Sequence, residues 1–280
     1  MVPSATPWHR PDPNISLTPD EVHVWRVSLD YHAPYSDALA ALLSPDESIK
    51  VNRYRFPQHQ REAIISRGVL RLLLGHYTAR QPEQIQLSYT PYGKPLLIPT
   101  AASAVAGMLN FNVTHSNGYA LYAFTINRDI GIDIEKIRPD AAQDGVAERF
   151  FSARELTQLR NLPRAIQSVG FFNCWTRKEA YIKARGEGLS LPLNQFDVSL
   201  TPGEPAQLLA SRIDEGDAQK WTLANIQPAP GFVGALAVSG VNWQLHCWDA
   251  KEWLAPLLQG TSQASLSTGM HLHPTSVQQK

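Results

Sequence analysis

Several features that mark other classes of protein are scarce or missing in this 280-residue sequence. It has two cysteines, Cys174 and Cys247, and they are not spaced as a metal-binding pair. Two cysteines in a chain of this size give no disulfide framework, so the sequence predicts a reducing cytoplasm. No apolar run approaches the ~18–20 residues that cross a bilayer, and the proline-rich start lacks the apolar core of a secretory signal. We therefore expect a soluble intracellular protein.

The sequence also lacks an excess of charge of either sign. Lysine plus arginine and aspartate plus glutamate both number 25. No global field then draws the chain to nucleic acid or to a membrane surface, and any site for an anion must be local. The hydrophobic fraction of 43% is that of an ordinary globular protein, long enough for one large domain or two moderate ones.

The periodicity of apolar residues predicts a mixture of helices and strands in a repeated order. Helices are predicted at 44–56, 59–79, 152–162 and 168–188, and strands at 21–30, 85–97, 109–126 and 130–137, followed by further short strands in the last third. The order strand, helix, strands occurs twice, with a seam near 127–130. The sequence therefore predicts an α+β fold of two similar α/β halves.

This order suggests boundaries for the parts of the chain. Residues 1–17 are rich in proline and are expected to form a loose arm. The N-terminal half is assigned to residues 18–127 and the C-terminal half to 128–257. Residues 258–280 are rich in serine, threonine, glutamine and histidine, and we expect this tail to be disordered.

The segment "GIDIE", residues 131–135, raises the first question of function. In a strand its side chains alternate, so Ile132 and Ile134 share one face while Gly131, Asp133 and Glu135 share the other. An edge strand with one wet face would give this pattern. A cation site would give it too, with the two acids as ligands and Gly131 leaving space for the bound molecule.

A second acidic position lies on the helix predicted at 168–188. Glu179 is four residues after Trp175 and four before Lys183, so the three share one helix face. A solvated Glu–Lys pair is the ordinary explanation. The aromatic neighbours instead favour a Glu179 that faces the interior and joins Asp133 and Glu135. Three carboxylates need a cation, and an all-oxygen set favours Mg²⁺ with a phosphate-bearing ligand within reach of Lys183.

Other residues could receive such a phosphate, although each has an ordinary explanation. Lys94 stands in the turn "YGKP", where an exposed turn lysine is common. His115 follows a strand beside Thr114, and a loop histidine is equally common there. Arg67 lies among apolar residues of the helix at 59–79, where an arginine can extend to solvent along its stem.

Four motifs occur in order over residues 92–193: "YGKP", "FNVTHS", "GIDIEKIRP" and "FFNCWTRKEAYIKARGEGLSLPL". Together they resemble the Sfp-type 4′-phosphopantetheinyl transferases. The resemblance implies a fold of two similar α+β halves related by a pseudo-twofold, with the site between them. It also implies a reaction in which coenzyme A gives its phosphopantetheine arm to a serine of an acyl or peptidyl carrier protein and leaves adenosine 3′,5′-bisphosphate.

The resemblance also implies roles for individual residues. The Mg²⁺ ligands would be Asp133, Glu135 and Glu179. The catalytic residues would be Glu179 and Lys183, and whether Glu179 is the base or only a ligand stays open. The coenzyme A contacts would be Arg67, Tyr92, Gly93, Lys94, Thr114, His115, Asp133 and Lys183. Thr114 stands where the family has serine, which keeps the hydroxyl and adds a methyl group.

Carrier domains are acidic beside their serine, so the resemblance predicts a partly apolar, basic docking surface, with Arg149, Phe150 and Phe151 as candidates.

The expected partners are coenzyme A and carrier proteins of fatty acid, polyketide or nonribosomal peptide synthesis. We expect a monomer, since one chain supplies both halves of the site. The alternatives are a coenzyme A-binding module without catalysis and a Mg²⁺-dependent phosphodiesterase, for which the zero net charge is unfavourable.

Overall fold

The computed structural model describes residues 6–99, 107–139 and 145–258. Its strands are β1 (Glu21–Ser28), β2 (Leu87–Tyr89), β3 (Pro95–Leu97), β4 (Leu109–Ser116), β5 (Tyr119–Ile126), β6 (Ile130–Lys136), β7 (Phe196–Val198), β8 (Leu208–Ser211), β9 (Trp221–Ile226), β10 (Phe232–Ser239) and β11 (Gln244–Asp249). Its α-helices are α1 (Ser36–Ala40), α2 (Pro45–Val51), α3 (Pro57–Thr78), α4 (Val146–Phe150), α5 (Ala153–Asn161), α6 (Arg164–Arg185), α7 (Asp217–Lys220) and α8 (251–258).

The ends of several helices follow from local sequence. Helix α2 begins after Ser44 and α5 after Ser152, and in both a glutamate three residues later completes a capping box. Helix α6 ends at Gly186, which takes a left-handed conformation with φ of 74° and donates its N–H to the carbonyl of Ile182. These local signals set the start of α2 and α5 and the end of α6.

The strands form two sheets in which the same arrangement occurs twice. The first sheet has the order β11-β1-β5-β4 and the second the order β6-β10-β9. In each half a first strand leads into a 22-residue helix, then a short hairpin, then two antiparallel strands. The last of these pairs with the first strand of its half, as β5 does with β1 and β10 with β6. The predicted α+β fold with two similar halves is confirmed.

Four layers follow from this arrangement. The two sheets face each other across a layer of buried aliphatic side chains that includes Val24, Leu121, Ile132 and Leu236. Helix α3 covers the outer face of the first sheet, and α6 covers the outer face of the second. Strands β4 and β6 lie side by side where the two sheets meet.

The C-terminal part of the predicted division is wrong. Strand β11 pairs in parallel with β1 and so completes the first sheet, although it follows all the strands of the second half. Leu254 and Leu258 of α8 are buried in the core of the first half. The chain returns there because the edge of β1 and the apolar surface beside α3 would otherwise lie open.

The expected arm and tail are only partly within the described residues. Residues 6–10 contact the body of the protein, since Trp8 donates its indole N–H to the carbonyl of Gln227 and His9 pairs with β11. Residues 1–5 and 259–280 lie outside the described ranges. None of the described helices combines the length and apolar character needed to cross a membrane.

Candidate functional site

Strand β6 separates its side chains between two environments, as its sequence predicts. Ile130, Ile132 and Ile134 are buried between the two sheets. Their neighbours in the sequence, Gly131 and Asp133, face α6 on the outer side of the second sheet. The acidic face of β6 is therefore covered by a helix and is not the wet face of an edge strand.

Gly131 brings the backbone of α6 directly onto β6. A Cβ atom built on Gly131 would lie 2.1 Å from the carbonyl oxygen of Ala180 and 2.3 Å from the amide nitrogen of Ala184. No other residue fits at this distance, since these neighbours are backbone atoms. The prediction that Gly131 leaves space for a ligand is wrong, because the helix occupies that space.

Asp133 and Lys183 form the centre of the site. The Lys183 Nζ lies 2.6 Å from Asp133 Oδ1, and the Thr114 hydroxyl donates to the same oxygen at 3.1 Å. Asp133 is buried, with 4% of its surface exposed. Its second oxygen, Oδ2, is buried without a hydrogen-bond partner in the part of the chain that the structure describes. An unmet carboxylate oxygen in such a place can take a further cation or donor.

The two other acids interact electrostatically with this pair. Burial raises the pKa of Glu135, and the nearby Asp133 raises it further, while the Ser116 hydroxyl donates to Glu135 Oε2 at 3.1 Å and opposes the rise. Burial also raises the pKa of Glu179 to about 7, with Lys183 opposing the rise and Asp133 and Glu135 adding to it. Of the four residues predicted to act together, Asp133 and Lys183 are in direct contact, and Glu135 and Glu179 interact with them electrostatically.

The grouping is not a formed metal sphere. Within the described ranges, no three acidic, histidine or cysteine side chains stand at metal-ligand geometry. The cation nearest Asp133 is the ammonium of Lys183. In donor chemistry the residues nevertheless fit a hard divalent ion. They offer oxygen atoms only, one of which is Asp133 Oδ2, without a partner among the described residues, and the three carboxylates repel one another.

Strand β4 supplies a row of polar side chains along the edge of β6. Asn112, Thr114 and Ser116 alternate along β4 and so share one face. Asn112 Oδ1 accepts the backbone N–H of Ile132 at 2.9 Å, and the two hydroxyls bind Asp133 and Glu135. The roles of Asn112 and Ser116 were not predicted, although the polar alternation in "FNVTHS" carries the signal.

Other predicted site residues lie apart from the acidic group. His115 points away from this row and is exposed, as Tyr92 is. Gly93 occupies a turn with φ of 85°. Arg67 lies in α3, where its Nε is 3.5 Å from Glu47 Oε1. Of the predicted coenzyme A contacts, Thr114, Asp133 and Lys183 are therefore the ones that the structure joins to the acids.

Lys94 occupies a position that the sequence does not reveal. Its ammonium donates to the carbonyl oxygen of Ile130 at 3.0 Å and to that of Ala184 at 2.9 Å. It therefore bridges the start of β6 and the end of α6, near the acidic group but bound to backbone.

A cavity of about 210 Å³ opens beside α4. It is lined by Arg149, Phe150, Leu191, Pro192, Leu193 and Asn194. The guanidinium of Arg149 lies over the Phe150 ring, and that ring packs edge-on against Trp175, one helical turn before Glu179. Phe151 is buried, with 3% exposed, and packs on Phe171. The prediction that Phe151 belongs to a docking surface is therefore wrong.

The chain is similar to known proteins over most of its length. Residues 129–237 match the family model described as the 4′-phosphopantetheinyl transferase superfamily, and residues 31–127 match the model of a 4′-phosphopantetheinyl transferase N-terminal domain. The 4′-phosphopantetheinyl transferase HetI of Nostoc sp. is 41% identical over 86% of this chain and 97% of its own. The 4′-phosphopantetheinyl transferase Sfp of Bacillus subtilis is 32% identical over 59% of this chain and 70% of its own.

Proposed function

The chain belongs to the 4′-phosphopantetheinyl transferases, and from its site we propose that it moves 4′-phosphopantetheine from coenzyme A to a serine of an apo carrier protein with the help of Mg²⁺. The observation that carries this proposal is the group of Asp133, Glu179 and Lys183, with a buried carboxylate oxygen that has no partner among the described residues. The transfer itself is what its relatives are named for.

The three carboxylates are the residues that would hold the metal. Asp133 and Glu135 project from one strand, and the electrostatic interaction of Glu179 with both supports its inclusion in the same site. When bound, Mg²⁺ supplies positive charge against the phosphates of coenzyme A. Thr114 and Ser116 keep the strand carboxylates turned toward this position through the hydrogen bonds of their hydroxyls.

The chain's own charged groups would then serve the transfer. The serine oxygen of the carrier attacks the phosphorus that bears the pantetheine arm, and the bond from that phosphorus to the bridging oxygen of adenosine bisphosphate breaks. Lys183, which pairs with Asp133, would stabilise the negative charge that develops on the leaving phosphate. A serine is a weak nucleophile without a base. In this proposal Glu179 accepts its proton through the carboxylate oxygen that does not hold the metal.

A direct assay tests this function. The protein is incubated with coenzyme A, Mg²⁺ and an apo carrier protein, and the carrier is weighed by mass spectrometry. We expect a gain of one phosphopantetheine group, which is lost when the metal is chelated. A carrier of unchanged mass would favour a coenzyme A-binding module, and hydrolysis of a phosphodiester substrate would favour a phosphodiesterase. Carriers from fatty acid, polyketide and nonribosomal peptide synthesis give the acceptor range.

The cavity beside α4 is the proposed docking point for the carrier. Arg149 supplies positive charge and Phe150 an apolar surface, and together they suit an acidic helix with an apolar side. Phe150 contacts Trp175, which lies one turn from Glu179, so a docked carrier has its serine near the base. Arg149→Glu should raise KM for the carrier and leave KM for coenzyme A unchanged. Arg154→Glu, an exposed arginine on α5, is the matched control.

We also propose that the protein works as a monomer in the cytoplasm. One chain supplies both sides of the site, with Thr114 and Ser116 from the first half and Asp133 and Glu135 from the second. The two cysteines are unpaired and buried, which suits a reducing compartment. Light scattering of the active protein would test the first point, and a mass twice that of the chain would contradict it.

A further inference from the structure

Lys94 crosses from the first half of the protein to the second. It stands in the turn between β2 and β3, and its ammonium donates to two backbone carbonyls of the second half. One belongs to Ile130, the first residue of β6, and the other to Ala184, in the last turn of α6. A single side chain thereby joins the strand and the helix that carry the acidic group.

The carbonyl of Ala184 is a natural acceptor for this ammonium. The last four carbonyls of a helix have no partner within the helix, and they carry the negative end of its dipole. Helix α6 ends at Gly186, so Ala184 lies among these last residues. A lysine that donates here satisfies an acceptor that the helix leaves open.

The turn that carries Lys94 fits closely against the loop after α6. A Cβ atom on Gly186 would lie 3.5 Å from Lys94 Cδ, and one on Gly188 would lie 3.5 Å from Tyr92 Cβ. Gly186 and Gly188 therefore lie against the turn, and the half-buried stem of Lys94 runs past Gly186 on its way to the two carbonyls.

The two carbonyls lie close in sequence to the pair at the centre of the site. Asp133 is three residues beyond Ile130, and Lys183 immediately precedes Ala184. At the same level, the backbone of α6 rests on Gly131. We propose that Lys94 is a positioning residue, which holds β6 and α6 at the separation that places Asp133 against Glu179 and Lys183. This inference rests on the proposed transferase function and gives Lys94 a different role from a coenzyme A contact.

The energy of burying Lys94 also favours a role in positioning β6 and α6 over a role in stabilising the fold. Burial lowers the pKa of Lys94 to about 8, with Asp129 opposing the shift. The folded chain therefore holds this cation at an energetic cost, with two neutral carbonyls as its partners. Removing the ammonium should accordingly change the position of the two elements more than the stability of the fold.

The test compares Lys94→Met with Lys94→Arg. Methionine keeps the apolar stem but donates nothing, whereas arginine can still donate to both carbonyls. Because displacements of ~1 Å can cost about 100-fold in rate, we expect Lys94→Met to lower kcat about tenfold or more. KM for coenzyme A should change less than about twofold, as for an interaction that does not touch the substrate. Lys94→Arg should restore most of kcat. Lys136→Met, an exposed lysine at the end of β6, is the matched control.

Hydrogen exchange supplies a readout that does not depend on catalysis. In Lys94→Met the amides near 130–132 and 184–186 should exchange faster than in the parent protein, while those of the first sheet stay unchanged. A raised KM for coenzyme A with unchanged kcat would overturn the proposal, because it would mark a direct substrate contact. Unchanged exchange in these segments would overturn it as well. If Lys94→Met does not fold, Lys94→Leu, which also donates nothing, replaces it.

Failure of this inference is distinguishable from failure of the proposed function. A parent protein that modifies no carrier contradicts the function. Hydrogen exchange in Lys94→Met and the parent protein still tests whether Lys94 holds β6 against α6. A parent protein that modifies its carrier while Lys94→Met behaves like Lys136→Met contradicts only the role of Lys94.

Discussion

The two long helices, α3 and α6, occupy corresponding places in the two halves and share more than their length of 22 residues. Each carries a buried cation fourteen residues after its first residue, Arg71 in α3 and Lys178 in α6. Each cation pairs with the glutamate that completes the capping box of the preceding helix, Glu47 for Arg71 and Glu155 for Lys178. The repeat therefore includes a buried ion pair as well as the order of elements.

The helices differ where they meet the first strand of their half. Tyr77 of α3 is large, and its hydroxyl accepts the indole N–H of Trp25 on β1. The residue at the same place along α6 is Ala184, which lies against Gly131 on β6. A bulky pair fills the space between strand and helix in the first half, whereas small residues bring the backbones together in the second.

The charged residues of the site occur only in the second copy of these positions. At the places along α3 that correspond to Glu179 and Lys183 stand Leu72 and His76. His76 is bound to the carbonyl of Ile15 and takes part in packing. The two halves therefore share one scaffold. Small residues where the helix meets the strand, and a few charged residues beside them, distinguish the half with the acidic group.

The largest effect should come from removing the acids of the second half. Asp133→Ala and Glu179→Gln should each lower kcat about 1000-fold or more, since they take charge from the centre where the transfer occurs. Mass spectrometry of the carrier measures the loss, and circular dichroism checks that the fold survives. Asp37→Ala, an exposed acid on α1 of the first half, is the control. Normal labelling of the carrier by either site variant would contradict the proposed site.

Replacing the buried cation of each ion pair should destabilise the protein by different amounts in the two halves. Lys178→Met leaves the buried carboxylate of Glu155 without its cation and two carbonyls without their donor. The unfolding free energy should fall by about 3–5 kcal/mol. Arg71→Met also removes the donor of two carbonyls, but it should cost less, about 2 kcal/mol, because Arg67 stands 3.5 Å from Glu47 and can replace part of the charge. Urea unfolding measures both. An equal cost, or a larger one for Arg71→Met, would show that Arg67 does not compensate.

The faces of β6 and the start of α5 are features that local sequence predicts. The alternation in "GIDIE" predicts which side chains of β6 share a face, because a strand permits only two faces. The Ser–Glu spacing predicts the start of α5, because a capping box is local. The position of Glu179 one turn before Lys183 also follows from helix geometry. Local regularities of this kind predict the elements and which side chains share a face within each element.

Long-range packing is what the sequence did not reveal. Lys178 lies in the same motif as Glu179, but only the fold shows that its partner is Glu155 on another helix. Lys94 reads as an exposed turn lysine until α6 is placed beside it. The parallel pairing of β11 with β1 joins segments some two hundred residues apart, and no local pattern specifies it. Short elements such as β8 were missed because four residues carry too little periodicity.

A methyl group on Gly131 tests the contact that distinguishes the halves. In Gly131→Ala the new Cβ meets backbone atoms of Ala180 and Ala184, so α6 must move away from β6. We expect a loss of about 1–3 kcal/mol in unfolding free energy, together with a fall in kcat as Asp133 and Lys183 separate. Gly216→Ala is the control, since its nearest atoms stand at 3.3 Å and belong to side chains. A Gly131→Ala protein as stable and as active as the parent would show that the close approach is not needed.

The smallest expected effect is on the unfolding free energy of the metal-free protein, through the charge of Glu179. Burial raises its pKa from 4.5 to about 7, so the folded state retains the proton to a higher pH than the unfolded state does. Stability from this group is therefore present below about pH 4.5 and is lost as the pH rises toward 7. Glu179→Gln stays neutral and should raise the unfolding free energy by about 1–2 kcal/mol at about pH 8, with no gain at about pH 4, once the partial exposure of the side chain is allowed for. Urea unfolding in the presence of a chelator measures the difference. An equal gain at both pH values would show that the carboxylate is not held in a buried, repelling environment.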